Sequence, residues 1–354
     1  MPPPALPSSW LVKIALIAPP FIGVPPADYG GTELFIAQLA EGLQAAGLQV
    51  VVYANGESTV NVERRWTYER SQWPIKVDQN NWLKELDHTS WAMQDAAHSC
   101  DIIHLHSPVG LHASRFIPTS VICTLHGPHD ARLTALYTRY PDVHYVCISE
   151  FQCSKEPMPH LCTIHHGIDL SLYQPHEKKQ HYLSFIGRIA PIKGTHIAID
   201  VAKRTGIPLK IAGDIQPQYR DYFESRVKPH LDGKLVEYIG LADLAAKNEL
   251  LGNSMAMLFP IQWNEPFGLV MVEAMACGTP VLALSGGSVK EIVRDGISGY
   301  VCRSVLQLAK RATNVQISPL VIRQYVEENF SLARMVARYL ELYKEASSAQ
   351  QQVA

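Results

Sequence analysis

Short apolar runs and amphipathic stretches take turns along the first half of the chain. Runs at 12–18, 49–53, 101–106, 121–125 and 144–148 are short and mostly apolar. That pattern predicts parallel strands buried on both faces rather than half-exposed ones. Between the first two runs lies a loop with Gly23, Pro25, Pro26, Gly30 and Gly31. A helix follows over 33–46, with Thr32 read as its cap and Gly47 as its stop. Residues 59–95 carry a weaker pattern, in which Trp66, Trp73 and Trp82 point to ordered loops, with a helix near 83–97. The alternation restarts in the second half. Strands are expected at 182–186, 209–212, 235–239 and 256–259, and helices at 196–204, 219–231 and 242–252. Next comes a helix with Leu269, Val272, Met275 and Ala276 on one stripe, then a strand over 280–284. An amphipathic helix from 326 to 345 closes the chain, with Met335, Val336, Tyr339, Leu340 and Tyr343 on its apolar side. Residues 167–179 are polar, contain Pro, and read as a linker. The expected fold class is therefore α/β: two doubly wound, Rossmann-like domains facing a cleft, at 1–166 and 180–328, with a final helix and tail at 329–354.

Composition narrows the function classes. A chain of 354 residues fits two domains, and its hydrophobic share of 47% supports real cores. The net charge of −2 offers no electrostatic case for nucleic acid. No run of 18 apolar residues occurs, so no transmembrane segment is expected. Residues 1–9 are rich in Pro and Ser and lack the features of a signal peptide. Seven cysteines, an odd number, point to free thiols in a reducing compartment, hence a cytoplasmic location. Cys153, His160, Cys162, His165 and His166 crowd one segment, yet no zinc-type spacing organises them. No fixed-period repeat is present, and no G-x-G-x-x-G fingerprint marks a dinucleotide site.

The chemistry concentrates at residues 265–280. Glu265 lies in a loop with Pro266, Phe267 and Gly268, and Glu273 about two turns into the helix that the loop opens. A helix start offers unpaired N–H groups and the positive end of a dipole, which suits a phosphate. Carboxylates beside it would accept hydrogen bonds from sugar hydroxyls. The blander reading is a capped helix with one solvated and one turn-forming glutamate. Arg188 and Lys193 follow a strand, beside Gly187 and Gly194, and fixed cations there would stabilise a departing diphosphate. Gly30 and Gly31 sit between the first strand and its helix, where glycine permits close backbone approach. His126 follows another strand end. His104 and His106 alternate on one strand, so both face one side, with His106 nearer its carboxyl end.

Taken as a whole, 265–280 resembles the donor-site signature of the retaining, nucleotide-sugar-dependent glycosyltransferases of family 4, which have the GT-B fold. The likeness extends through Phe185–Ile189 with Lys193 and Gly194, then through 286–293 and 295–300, and covers nearly the full chain. It implies an acceptor-side first domain, a nucleotide-sugar donor domain at 180–328, and a last helix crossing back to the first domain. It also implies roles. Arg188 and Lys193 would bind the diphosphate, Glu265 the transferred sugar and Glu273 the ribose. Phe267, Gly268 and Leu269 would offer backbone N–H groups, Ile239 and Leu241 would flank the base, and Gly30 and Gly31 would close over the donor. His126 would lie near the donor sugar, and Asp28, Tyr29, Thr32 and His106 on the acceptor side. The implied reaction moves a hexose, taken as glucose, from a UDP-sugar to an acceptor hydroxyl with retention. It would use no metal and no cofactor beyond the UDP-sugar, since no D-x-D pair sits in a suitable loop. A GT-B epimerase and a non-catalytic nucleotide-sugar-binding protein are the alternatives. Residues 25–31 resemble a subgroup with members that glucosylate reduced pterins; sugars, lipid-linked sugars and small metabolites also stand open as acceptors. The stretch 302–318 is shorter than in longer family members.

Overall fold

The computed structural model of the chain describes residues 12–27, 30–73 and 80–351. It divides into two units, one formed by residues up to Gly167 together with Leu332 onward, the other by Ile168–Ser331.

The first unit is built on β1 (Lys13–Ile17), α1 (Gly31–Ala45), β2 (Gln49–Tyr53), β3 (Glu63–Arg65), α2 (Asn81–Ser99), β4 (Ile102–Leu105), β5 (Ser120–Leu125), α3 (Ala131–Tyr137), β6 (His144–Cys147), α4 (Glu150–Cys153) and β7 (Leu161–Thr163). Its strands form one sheet in the order β3-β2-β1-β4-β5-β6-β7, all pairs parallel. Alternate strand residues supply two cores, as the period of a strand requires. Ile14, Leu16, Val50 and Val52 enter one with Phe35, Ile36 and Leu39 of α1. Ala15, Ile17, Val51 and Tyr53 enter the other with Ala92, Met93 and Ala96 of α2.

The second unit repeats the plan with β8 (Gln180–Ile186), α5 (Thr195–Thr205), β9 (Leu209–Ala212), α6 (Arg220–Arg226), β10 (Val236–Gly240), α7 (Leu244–Asn253), β11 (Ser254–Phe259), α8 (Leu269–Ala276), β12 (Val281–Leu284), α9 (Val289–Ile292), β13 (Gly299–Cys302), α10 (Val305–Ala312) and α11 (Pro319–Asn329). The strand order is β10-β9-β8-β11-β12-β13, again wholly parallel. In each sheet the order reverses once, between β1 and β4 and between β8 and β11. Loops at the carboxyl ends of strands beside such a reversal are where open α/β sheets take ligands.

The last helix, α12 (Leu332–Gln351), belongs to the first unit. Met335, Val336, Tyr339, Leu340 and Tyr343 join the core formed by α1 and the sheet. Each such side chain contributes roughly 1.5–3 kcal/mol by leaving water. The helices approach closely at Gly42, where a Cβ would stand 2.5 Å from Val336. The partner surface is polar as well as apolar. His104 shares hydrogen bonds with the Tyr343 hydroxyl at 2.8 Å and Thr124 Oγ1 at 2.7 Å, and Thr124 with the Tyr339 hydroxyl at 3.0 Å.

Several expectations need correction. Thr32 caps nothing: Gly30 is the N-cap of α1, and Thr32 lies inside the first turn. The helix expected over 219–231 stops as α6 at Arg226, because Pro229 has no N–H and disfavours helix at Lys228. The single helix expected over 326–345 is two, broken at Phe330 and Ser331. The Phe330 carbonyl accepts instead from Ile168 N, at 2.9 Å. Residues 168–179 are not a free connector. Arg323 Nη1 donates to the carbonyl oxygens of Tyr173 and Ala276, and Nη2 to that of Leu170. This ties the segment to the second unit.

Candidate functional site

In the second unit, the loops after β8 and β11 flank the sheet reversal and carry the motif residues. Arg188 follows β8. A short 3₁₀ turn, Pro191–Lys193, then delivers Lys193. Its Nζ lies 2.6 Å from Glu265 Oε2, and Trp263 Nε1 donates to the same oxygen at 2.9 Å. The ammonium also sits 4.8 Å from the centre of the Trp263 ring, a cation–π contact. Glu265 is only 6% exposed, so this pairing keeps a buried carboxylate from standing alone. Its Oε1 has no hydrogen-bond partner among the described residues.

The Glu265 backbone is clamped by the next loop. Its carbonyl accepts from Ser288 N at 2.9 Å, and Asn264 Oδ1 accepts from Gly287 N at 3.3 Å. Gly287 has φ 59°, and a Cβ there would stand 2.2 Å from the Glu265 carbonyl oxygen. Only glycine fits. Gly268 is the N-cap of α8, in the left-handed region at φ 85°. Leu269 opens that helix, whose first N–H groups lack acceptors within it. Phe267 is buried, and its carbonyl accepts from Ser288 Oγ at 2.8 Å. A cleft of about 450 Å³ opens beside this loop, lined in part by Trp263, Asn264, Ser285, Gly286 and Arg303.

Glu273, on α8, is 4% exposed. It has partners the sequence did not suggest. Tyr173 donates to Oε1 at 3.0 Å, and Lys247 Nζ lies 3.0 and 3.3 Å from the two oxygens. Burial and the adjacent carboxylate push the Tyr173 hydroxyl well above its ordinary pKa, so it stays a neutral donor. Lys247 comes from α7 and Tyr173 from the segment pinned by Arg323. Ile239 is the last residue but one of β10 and Leu241 follows the strand; both are exposed at that edge of the sheet.

In the first unit, Gly30, Gly31 and Thr32 lie after β1, beside the other reversal. Asp28 and Tyr29 lie outside the described residues. Glu33, in the first turn of α1, is buried, and desolvation raises its pKa; its place directly after Gly-Gly-Thr was the available signal. His106 follows β4 and His126 follows β5. Their rings meet: His106 Nδ1 and His126 Nε2 are 3.0 Å apart. Phe35 packs against His106, His126 and His166, with ring centres 5.6, 5.0 and 4.6 Å away. Burial pushes all three imidazoles below their ordinary pKa, His126 to about 3. They are neutral hydrogen-bonding groups. His106, expected on the acceptor side, is 5% exposed, and its Nε2 is buried without a partner.

Among the described residues, no His, Cys, Asp and Glu group is arranged to hold a metal. All seven cysteines are free thiols. No helix among the described residues is long and apolar enough to cross a membrane.

Comparison with known proteins bears on this arrangement directly. Residues 29–191 match the family Glycosyltransferase Family 4, and residues 173–315 match Glycosyl transferases group 1. A D-inositol 3-phosphate glycosyltransferase of Mycobacterium marinum is 30% identical over 156 residues, covering 38% of this chain and 32% of the relative. The chain thus spans about a third of that relative's length. A glycogen synthase of Mycobacterium tuberculosis is 23% identical, over 93% of this chain and 94% of that one. Among solved structures, a sucrose-phosphate synthase from Thermosynechococcus elongatus superposes with a TM-score of 0.79 at 19% identity, over 96% of this chain and 100% of that one. Anabaena HepE in complex with UDP-glucose gives 0.75 at 18% identity, over 94% and 100%. At such identities the structures speak for the fold alone. Two all-parallel sheets that reverse once each, a last helix returned to the first unit, and family matches that run on from one unit into the other lead to one assignment: the chain is a glycosyltransferase of group 1, with the GT-B fold.

Proposed function

We propose that the chain transfers glucose from UDP-glucose to an acceptor hydroxyl, with retention and without a divalent metal. The observation that carries this reading is the Lys193–Glu265–Trp263 arrangement beside the start of α8. One carboxylate oxygen is held by two donors; the other has no protein partner and suits a sugar hydroxyl. Lys193 and Arg188 supply fixed positive charge where a diphosphate gathers negative charge on leaving. Such charge stabilises the transition state more than the ground state. In this scheme the cations and the α8 N–H groups do the work that a metal does elsewhere. Glu265, locked through Oε2, binds and does not attack, so the acceptor enters on the face that the leaving phosphate vacates. A UDP-glucose complex of a protein with this fold supports the choice of donor.

A nucleotide-sugar panel, assayed for hydrolysis and for transfer to an acceptor library after dialysis against a chelator, tests each clause. Turnover of UDP-glucose with anomeric retention and no added metal is the expected result. Preference for another nucleotide, inversion, or activity restored only by magnesium or manganese would overturn the corresponding clause.

A further inference from the structure

The paired imidazoles of the first unit carry an inference about proton placement. The 3.0 Å contact between His106 Nδ1 and His126 Nε2 holds one proton, since both rings are kept neutral by burial. Either His106 donates it or His126 does. The other nitrogen of His106 decides. Nε2 of His106 is buried with no partner. If His126 donated, His106 would carry its proton on Nε2, as a buried orphan N–H. If His106 donates, that Nε2 is a bare lone pair. Among buried polar groups an orphaned N–H is rarer than an under-satisfied acceptor. His104 cannot relieve it, because both its nitrogens are engaged by Tyr343 and Thr124. The proton therefore sits on His106 Nδ1. The bond at one imidazole nitrogen sets where the other carries its proton. His126 accepts at Nε2 and is protonated at Nδ1, which has no protein partner among the described residues.

We propose that His106 is a positioning residue that fixes His126 as the Nδ1–H tautomer, so that His126 meets its ligand as a hydrogen-bond donor and not as a base. The ligand chemistry this selects is an oxygen acceptor, such as a sugar hydroxyl or ring oxygen. Only the kinetic arm of the test rests on the UDP-glucose reading above.

Ring nitrogen–proton correlation spectra of the full chain labelled with ¹⁵N-histidine read the tautomer directly, with a His126→Gln chain to assign the signal. A bare Nε2 and a protonated Nδ1 at His126 are expected. A protonated Nε2 there overturns the proposal whatever the donor proves to be. His106→Leu should release His126 to the Nε2–H form that free imidazole favours, and lower kcat on UDP-glucose by about tenfold with KM unchanged. His106→Asn, whose amide stands at the Nδ1 place, should restore kcat to within about threefold. Equal losses in the Asn and Leu chains would reduce His106 to packing. A chain that turns over no UDP-glucose leaves the spectra intact as the deciding measurement and refutes the donor assignment instead.

Discussion

The two units use one backbone plan and fill its reversal point with opposite chemistry. In the first, the loops after β4, β5 and β7 bring uncharged imidazoles around Phe35 of α1. In the second, the loops after β8 and β11 bring a buried carboxylate and an ammonium into contact, with a second such pair between α7 and α8. The fold fixes where a ligand is met; the loop residues fix what can be met there. Neutral donors and acceptors recognise hydroxyls. Paired charges of both signs can hold a diphosphate and a sugar together.

The largest expected effect is on the first unit. Ending the chain at Ser331 removes α12 and uncovers the core that Met335, Val336, Tyr339, Leu340 and Tyr343 fill. Five such side chains at roughly 1.5–3 kcal/mol each add up to about the whole margin of a typical domain. Proteolysis should digest the first unit while residues 168–331 resist; equal resistance of both would break the account of α12.

Next comes the second unit's inner pair. Lys247→Met strands Glu273 beside only Tyr173, and should lower stability to urea by about 3 kcal/mol. Adding Glu273→Leu should return most of that loss. If the single change costs nothing, the pair carries no weight in the fold. A somewhat smaller effect is expected at the outer pair. Glu265→Ala should reduce turnover of UDP-glucose about a hundredfold, as for loss of a contact made in the transition state. Full turnover in a folded variant would end the assignment.

The smallest effect sharpens the contrast in charge. His126 titrates at about 3 in the folded chain, against an ordinary value of 6.5. An unfolded chain takes up that proton as pH falls below 6.5, while the folded chain does not. Stability is therefore complete above 6.5 and declines as pH falls toward 3. His104, His106 and His166 shift in the same direction. Urea midpoints from pH 7.5 to 5 should fall, and the His126→Gln chain should show a shallower fall. Identical slopes would mean that His126 is not held neutral.

The alternation of strand and helix was legible because strands buried on both faces must be continuously apolar. β3, Glu63–Arg65, is a three-residue edge strand of charged residues and gives no such signal. Lys193 and Glu265 could each be singled out from sequence because each sits in its own recognisable string, although their direct contact could not. Tyr173 and Lys247 could not, since they reach Glu273 from 100 and 26 residues away, and nothing local announces the meeting. The His104–Tyr343 contact spans 239 positions and exists only because α12 returns to the first sheet. The break at Phe330 was hidden for a related reason: the apolar stripe runs across it, and a tertiary bond from Ile168 ends the helix.

The central claim is that Lys193 and Arg188 of the second unit hold the diphosphate of the donor. Calorimetric titration of UDP into the intact chain and into the Lys193→Ala and Arg188→Ala chains tests it most directly. The account predicts binding weakened by roughly 1.5–3 kcal/mol in each variant, the range for hydrogen bonds to charged groups, with the fold retained. Unchanged affinity for UDP in both variants would contradict it.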